Sequence, residues 1–157
     1  MDAIRLIGAT RHALAQSRAP EEIVTEAWQA QALAQAVGSH LLASGPAELR
    51  SEAHGLSEAG GRACGALHRV GQGGGARAAQ LSGVQNPRSA LLGLGGLLGE
   101  VGIALVGVAC AAAEEGLYWQ CIEAMDAADE SGDRVRGLLR QLADRERPQP
   151  DSAAGPW

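Results

Sequence analysis

Carboxylates are the residues of this chain whose spacing comes nearest to a reactive site. Glu123 and Asp126 stand three apart in an acidic run that continues through Asp129, Glu130 and Asp133. On a helix two such residues share one face, as helical Mg²⁺ sites require. Glu100 is the one charge after Arg88 in a long apolar segment, among Gly93, Gly96, Ile103, Ala104 and Gly107. It either reaches solvent or an Arg partner at the segment's edge, or it lines a pocket that the glycines open. His12, His40, His54 and His68 are scattered, and His54 and His68 fall on the outer side of their helix, where no closed metal site forms. Gly55-Leu56-Ser57-Glu58-Ala59 is a near miss to a nucleophile elbow, without the preceding strand that such an elbow needs. Gly71-Gln72-Gly73-Gly74-Gly75 lacks both the strand and the lysine of a phosphate-binding loop and reads as a linker.

Two families offer comparisons for these carboxylates and histidines. All-α nucleotide pyrophosphohydrolases pair two helical acids with a separate Glu-Glu-x-x-Glu helix. This chain has Glu21-Glu22-Ile23-Val24-Thr25-Glu26, one residue too long, so the resemblance to such a divalent-metal hydrolase is defective. A solvated helix face explains the acidic run more simply. Diiron bundles carry Glu-x-x-His, and the chain has none.

Trp28, Tyr118 and Trp119 make up nearly all the aromatic content. They pack at a core edge or form a partner surface, because a half-buried Trp suits an interface. The arginines from Arg134 to Arg147 are interleaved with Asp133, Asp144 and Glu146, which describes a solvated helix and no nucleic-acid stripe.

These residues have to be held by helices, since no strand pattern occurs. Asp2 caps a first helix to about Ser17, with Ala3, Ile7, Thr10 and Leu14 along one face. Pro20, Glu21 and Glu22 open a second. Its stripe is Ile23, Ala27, Ala30, Ala34, Val37 and Leu41, and Gly45-Pro46 ends it. A third, from about Ala47, alternates steps of four and three through Leu49, Ala53, Leu56, Gly60, Ala63, Leu67 and Val70. That is the seam of an antiparallel partner, and the short link makes helices two and three a hairpin. A short helix around Ala76 to Leu81 is an open alternative to a loop. Asn86-Pro87 starts a fourth helix to about Ala113. Beyond Glu114-Glu115-Gly116 a fifth carries Leu117, Cys121, Met125, Ala128, Gly132, Val135, Leu139 and Leu142. The expected fold is an all-α, four- or five-helix antiparallel bundle in one domain, residues 1–147, with a disordered tail at 148–157.

The fourth helix is apolar nearly all round and holds Gly93, Gly95, Gly96, Gly99, Gly102 and Gly107. Each glycine costs up to ~1 kcal/mol against Ala inside a helix, so packing has to offset roughly 5 kcal/mol. The face Leu92, Gly95, Gly99, Gly102, Val106, Ala109 is small enough for close helix approach. The segment is also about long enough to span a bilayer, and Gly95-x-x-x-Gly99 matches a membrane-helix packing pattern. Glu100 in mid-span, the absence of flanking basic or aromatic belts, and amphipathic neighbours argue for a buried central helix instead.

Composition bounds the rest. The chain has 157 residues, a hydrophobic fraction of 46% and no Phe, so aliphatic side chains and Ala fill the core. All 13 basic residues are Arg, which excludes P-loop and Schiff-base lysine chemistry. A formal charge of −5 does not steer the chain to nucleic acid. Cys64, Cys110 and Cys121 form no CxxC pair and read as reduced thiols in a cytoplasm.

Asp2-Ala3-Ile4-Arg5-Leu6-Ile7, the stretch from Leu91 to Glu100, Trp119-Gln120 and Asp126-Ala127-Ala128-Asp129-Glu130 resemble an uncharacterised family of short all-helical actinobacterial proteins. The resemblance covers most of the chain and implies a cytoplasmic, high-GC origin, with no activity or functional residue attached. The reading is therefore a non-enzymatic interaction protein without a cofactor. It is a homodimer that binds a protein partner or a small apolar ligand through the fourth helix, Trp28, Glu100, Tyr118 and Trp119. A metal hydrolase using Glu123 and Asp126, or a membrane-associated bundle, is the alternative.

Overall fold

The computed structural model describes residues 1–67 and 75–147. They form five α-helices: α1 (Ala3–Gln16), α2 (Pro20–Ser44), α3 (Arg50–Ala66), α4 (Pro87–Ala111) and α5 (Glu115–Glu146). Short 3₁₀ turns at Ala47–Leu49 and Arg77–Gln80 lead into α3 and follow the undescribed segment. No strand occurs among the described residues; a single parallel bridge joins Asp2 to Gly83. His68, Val70, most of the glycine linker and the tail at 148–157 lie outside the described residues.

The helix starts follow local chemistry. The Asp2 carboxylate accepts from the Ile4 amide at 3.0 Å and from the Gln85 amide at 3.1 Å, so it caps α1 and ties it to the segment before α4. Both bonds favour the ionised form and hold Asp2 below its ordinary value, Gln85 contributing most. Ala19 has no side-chain oxygen to cap α2. Glu22 reaches back instead, accepting from the Arg18 and Ala19 amides at 2.8 and 2.9 Å, and its pKa is lowered for that reason. At α4, Asn86 Oδ1 accepts from the Ser89 amide at 3.1 Å, and Pro87 occupies the first turn.

Two antiparallel hairpins, α2–α3 and α4–α5, pack together, and α1 lies along α4 and α2. The seams meet as the spacing requires. Ala27, Ala30, Ala34, Val37 and Leu41 of α2 are buried against Ala53, Leu56, Gly60 and Ala63 of α3, with Leu49 beneath. In the α4–α5 hairpin, Leu91, Leu94, Leu98, Val101 and Leu105 meet Cys121, Ala124, Ala128, Val135 and Leu138. The α3 helix ends at Ala66, and the expected short helix near Ala76 is the 3₁₀ turn.

Close helix approach occurs at different glycines from those expected. A Cβ on Gly38 would stand 2.6 Å from the Ser57 amide nitrogen, and one on Gly60 would stand 2.6 Å from that of Gln35. Those two glycines let α2 and α3 pack backbone to backbone. On α4, a Cβ at Gly99, Gly102 or Gly107 would have nothing within 4 Å. Gly95 faces a Val135 methyl at 3.4 Å, an ordinary contact. Gly99, Gly102 and Gly107 therefore do not serve packing among the described residues.

Two polar clusters lie inside the bundle. Arg77 grips Glu26 with a bidentate pair at 2.6 and 3.0 Å, and also donates to Thr10 Oγ1 at 3.3 Å. Gln29 accepts from the Arg77 amide at 2.9 Å and donates to the Gly75 carbonyl at 3.1 Å. Ser131 donates to Gln31 at 2.7 Å across the α2–α5 contact, both side chains fully buried. Among the described residues no buried side-chain polar atom lacks a hydrogen-bond partner.

Candidate functional site

The face of α4 turned away from the core carries Leu92, Gly96, Gly99, Ile103, Val106 and Cys110, every one of them exposed. Their spacing of four, three, four, three and four is a second helical seam, diametrically opposite the buried one. None of its own residues is charged, and the Arg11 guanidinium lies beside Gly96. Leu92 is 57% exposed, Ile103 76% and Val106 48%. Only 39% of the most apolar stretch of α4 is buried, although it is long and apolar enough by composition to cross a membrane.

Beside this strip lies a groove of about 870 Å³. It arises where α1 ends. Ile7 covers Gly93, and Arg11 covers Gly96 and pairs with Glu100. Beyond Glu100 the same flank of α4 continues as Ala104, Gly107 and Ala111, and it forms one wall. Ile23 and Val24 of α2 form the other, and Leu117 at the start of α5 closes the end. Arg18, Glu21 and Glu114 supply its charges. No His, Cys or Ser lines it, and its one hydroxyl, that of Thr25, donates to the Glu21 main-chain carbonyl at 2.8 Å.

The residues singled out from the sequence are dispersed. Glu100 is paired by both carboxylate oxygens with Arg11 at the edge of α4, is half-exposed, and does not line the groove. The Glu100 carboxylate in turn holds the Arg11 guanidinium more firmly protonated than usual. Trp28 is half-buried against the core on α2. Tyr118 and Trp119 are exposed in the first turn of α5, their rings edge to face at 5.2 Å. Glu123 and Asp126 are exposed further along α5. Among the described residues no group of three or more His, Cys, Asp or Glu side chains could hold a metal ion. Four other acids of that reading are engaged elsewhere. Glu22 caps a helix, Glu26 holds Arg77, Glu130 pairs with Arg62 and Asp133 with Arg136.

His54 sits 3.4 Å from Glu58 on the exposed side of α3, and His12 is exposed on α1. Ser57 lies in the middle of α3, its hydroxyl 2.7 Å from that of Ser39, so it sits on no elbow. The Cys64 thiol donates to the Trp28 carbonyl at 3.7 Å, Cys110 is exposed, and burial pushes the Cys121 thiol up.

The chain belongs to a family of unknown function, DUF6099. The family's profile matches residues 1–141, which takes in all five helices up to the last turns of α5. No curated protein and no solved structure matches the chain. Family membership thus carries no activity to this surface, and its role has to be argued from its own chemistry.

The sequence missed three features. The Arg77–Glu26 pair joins residues 51 apart through a turn that carries no strong helical signal. The groove draws on α2, α4 and the α4–α5 turn, none of which announces a cavity by itself. The outer seam of α4 was visible as apolar residues, but composition alone does not say which side stays bare.

Proposed function

We propose that this protein is a non-enzymatic interaction module that works as a homodimer, with the outer face of α4 as the contact. The observation that carries the reading is the strip of uncharged, exposed residues Leu92, Gly96, Gly99, Ile103, Val106 and Cys110, which only the Arg11 guanidinium, beside Gly96, borders with a charge. Full burial of a large aliphatic side chain is worth about 1.5–3 kcal/mol. Scaled by the exposures of Leu92, Ile103 and Val106, the gain is about 5–11 kcal/mol over two subunits. Association itself costs an estimated 4–15 kcal/mol, so the expected dimer is weak, of micromolar affinity at best. Tyr118 and Trp119, exposed where α5 leaves α4, suit the rim of such a contact. Three cysteines without a CxxC pair suit a cytoplasmic, reducing setting.

Sedimentation equilibrium from micromolar to millimolar protein tests the reading. The wild type shows reversible dimer formation, and Ile103→Glu remains monomeric with an unchanged helical spectrum. A wild-type protein that stays monomeric at millimolar concentration refutes it.

The groove favours a second reading, a small apolar ligand. Its volume of about 870 Å³ lies within the range of ligand pockets, roughly 300–1,000 Å³. Medium-chain fatty acids are a suitable probe, and a ligand that binds only the folded state raises the melting temperature. Gly107→Leu fills the groove and abolishes that rise. No rise with any chain length sets this reading aside.

A further inference from the structure

Residues 75–85 lead into the α4–α5 hairpin, and their polar groups are bound by two other elements. The first part is tied to α2. Gln29 holds the Gly75 carbonyl and the Arg77 amide, and Glu26 grips the Arg77 guanidinium. The second part is tied to the start of α1. The Ser82 amide donates to the Met1 carbonyl at 2.9 Å, the Ala3 amide to the Gly83 carbonyl at 3.0 Å, and the Gln85 amide to the Asp2 carboxylate at 3.1 Å. Arg77 also reaches the middle of α1, donating to Thr10 Oγ1 at 3.3 Å. We infer that α1 and residues 75–85 form one detachable unit, latched by Arg77, that opens while the two hairpins stay folded. Neither a second copy nor a groove ligand is needed for it.

The apolar hold on α1 is the lightest in the bundle's long helices. It buries three large aliphatic side chains, Leu6, Ile7 and Leu14, where α4 buries seven. Thr10 stands in the middle of that face, fully buried, its hydroxyl donating to the Leu6 carbonyl and accepting from Arg77. The Arg11–Glu100 pair is half-exposed, so water screens it and it adds little. The latch itself is a pair of charges. Glu26 is 7% exposed, and when the unit opens both charges regain water, which offsets much of the attraction lost. An apolar contact has no such return. At 14 residues α1 is no longer than the 12–15 or so that an isolated helix needs in water, so it melts once released. Opening also changes a surface. Ile7 and Arg11 cover Gly93 and Gly96 on the flank of α4 that continues as Ala104, Gly107 and Ala111 along the groove. Without α1 the bare flank lengthens from ~10 Å to ~27 Å.

Hydrogen exchange of the full native chain, followed residue by residue by NMR where reclosing outpaces exchange, reads the unit directly. The amides of Arg77, Ser82 and Gln85 have acceptors on three different groups, the Gln29 side chain, the Met1 carbonyl and the Asp2 carboxylate. One opening event gives the three a common protection factor, shared by mid-helix amides of α1 such as those of Thr10 and Arg11. The slowest amides of α4 and α5 exchange at least about tenfold more slowly. Glu26→Gln weakens the latch and speeds Ser82, Gln85 and the α1 amides by the same factor as Arg77, about tenfold or more, the equivalent of one charged hydrogen bond. Asp2→Ala, made at the other end of the unit, speeds Arg77 as much as Gln85, and it carries the test on its own should the Glu26 variant fail to fold. Unequal protection at the three reporter amides of the wild type overturns the single unit. So do α1 amides as slow as the slowest of α4 and α5. A variant effect confined to its own end overturns the latch.

Discussion

The two kinds of glycine in this bundle should respond in opposite ways to one added methyl group. Gly60 lies where α3 touches α2, and its Cβ would stand 2.6 Å from the Gln35 amide nitrogen and 2.7 Å from the Gln31 carbonyl oxygen. Both are backbone atoms that no rotamer change can move. Ala gains about 1 kcal/mol of helix propensity over Gly. Overpacking a core costs typically 1–3 kcal/mol, and more when rigid backbones must separate. Because both opposing atoms are backbone, the upper end of that range applies, and the net for Gly60→Ala is a loss of about 2 kcal/mol. A domain of this size shifts by roughly 2–4 °C per kcal/mol, so the melting temperature falls by about 4–8 °C. Gly99→Ala adds a methyl with nothing within 4 Å, gains up to ~1 kcal/mol, and raises the melting temperature by about 2–4 °C. Thermal melts followed by circular dichroism, at protein concentrations too low for self-association, make the comparison. A Gly60→Ala protein as stable as the wild type would show that α2 and α3 do not approach this closely. A Gly99→Ala protein less stable than wild type as a monomer would show that α4's outer face is covered within the chain.

Three further outcomes follow from the geometry. Glu26→Gln removes the carboxylate that Arg77 grips; because Arg77 is 30% exposed and water reaches it, the loss is about 1–3 kcal/mol, short of a fully buried pair, and an unchanged urea midpoint refutes it. Asp2 and Glu22 are held below their ordinary values of 3.8 and 4.5 by backbone amides, so the stability they contribute is present above those values and is lost as pH falls through the lower folded-state ones. The melting temperature therefore drops on acidification below about pH 4.5, Asp2→Asn and Glu22→Gln together flatten that drop, and parallel acid titrations of wild type and double variant decide it. Mg²⁺ or Mn²⁺ leaves the melting temperature unchanged, since Glu123 and Asp126 have no third donor beside them; a rise that Asp126→Asn abolishes would restore the hydrolase reading.

The helices were legible because their signals are local and agree with one another. Pro20 with Glu21 and Glu22 marks the start of α2, Asn86-Pro87 that of α4, and the seam from Leu49 to Ala63 runs unbroken through α3. Gly60 already stood in that seam, and a glycine at a buried seam position signals close approach. The same inference misplaced the close approach on α4, because six glycines in one helix outweigh two in different helices when only sequence is counted. Glu100 was legible as an edge residue with an Arg partner, but not the identity of Arg11, which is 89 residues away. The acidic spacing of Glu123 and Asp126 describes a helix face correctly. Whether other oxygens converge on that face depends on which helix lies beside it, and periodicity carries no such information.

The glycines of α4 also bear on why its outer face is bare. Gly99, Gly102 and Gly107 contact nothing beyond their own helix, so within one chain roughly 3 kcal/mol of lost helix propensity has no offset. That is a large share of the 5–15 kcal/mol that stabilises an ordinary domain, and Ala at all three positions would be sterically free. A lipid-facing helix gains nothing from glycine either, because acyl chains pack as well on Ala. It also could not enter a bilayer alone without uncovering Leu91, Leu94, Leu98, Val101 and Leu105 from the bundle. Glycine is useful there only if another backbone or large side chain comes close. No such group exists among the described residues of this chain, and Ile103, the most exposed large aliphatic residue, faces outward one turn from Gly99. In the homodimer proposed above, a two-fold partner would bring such a group onto these glycines.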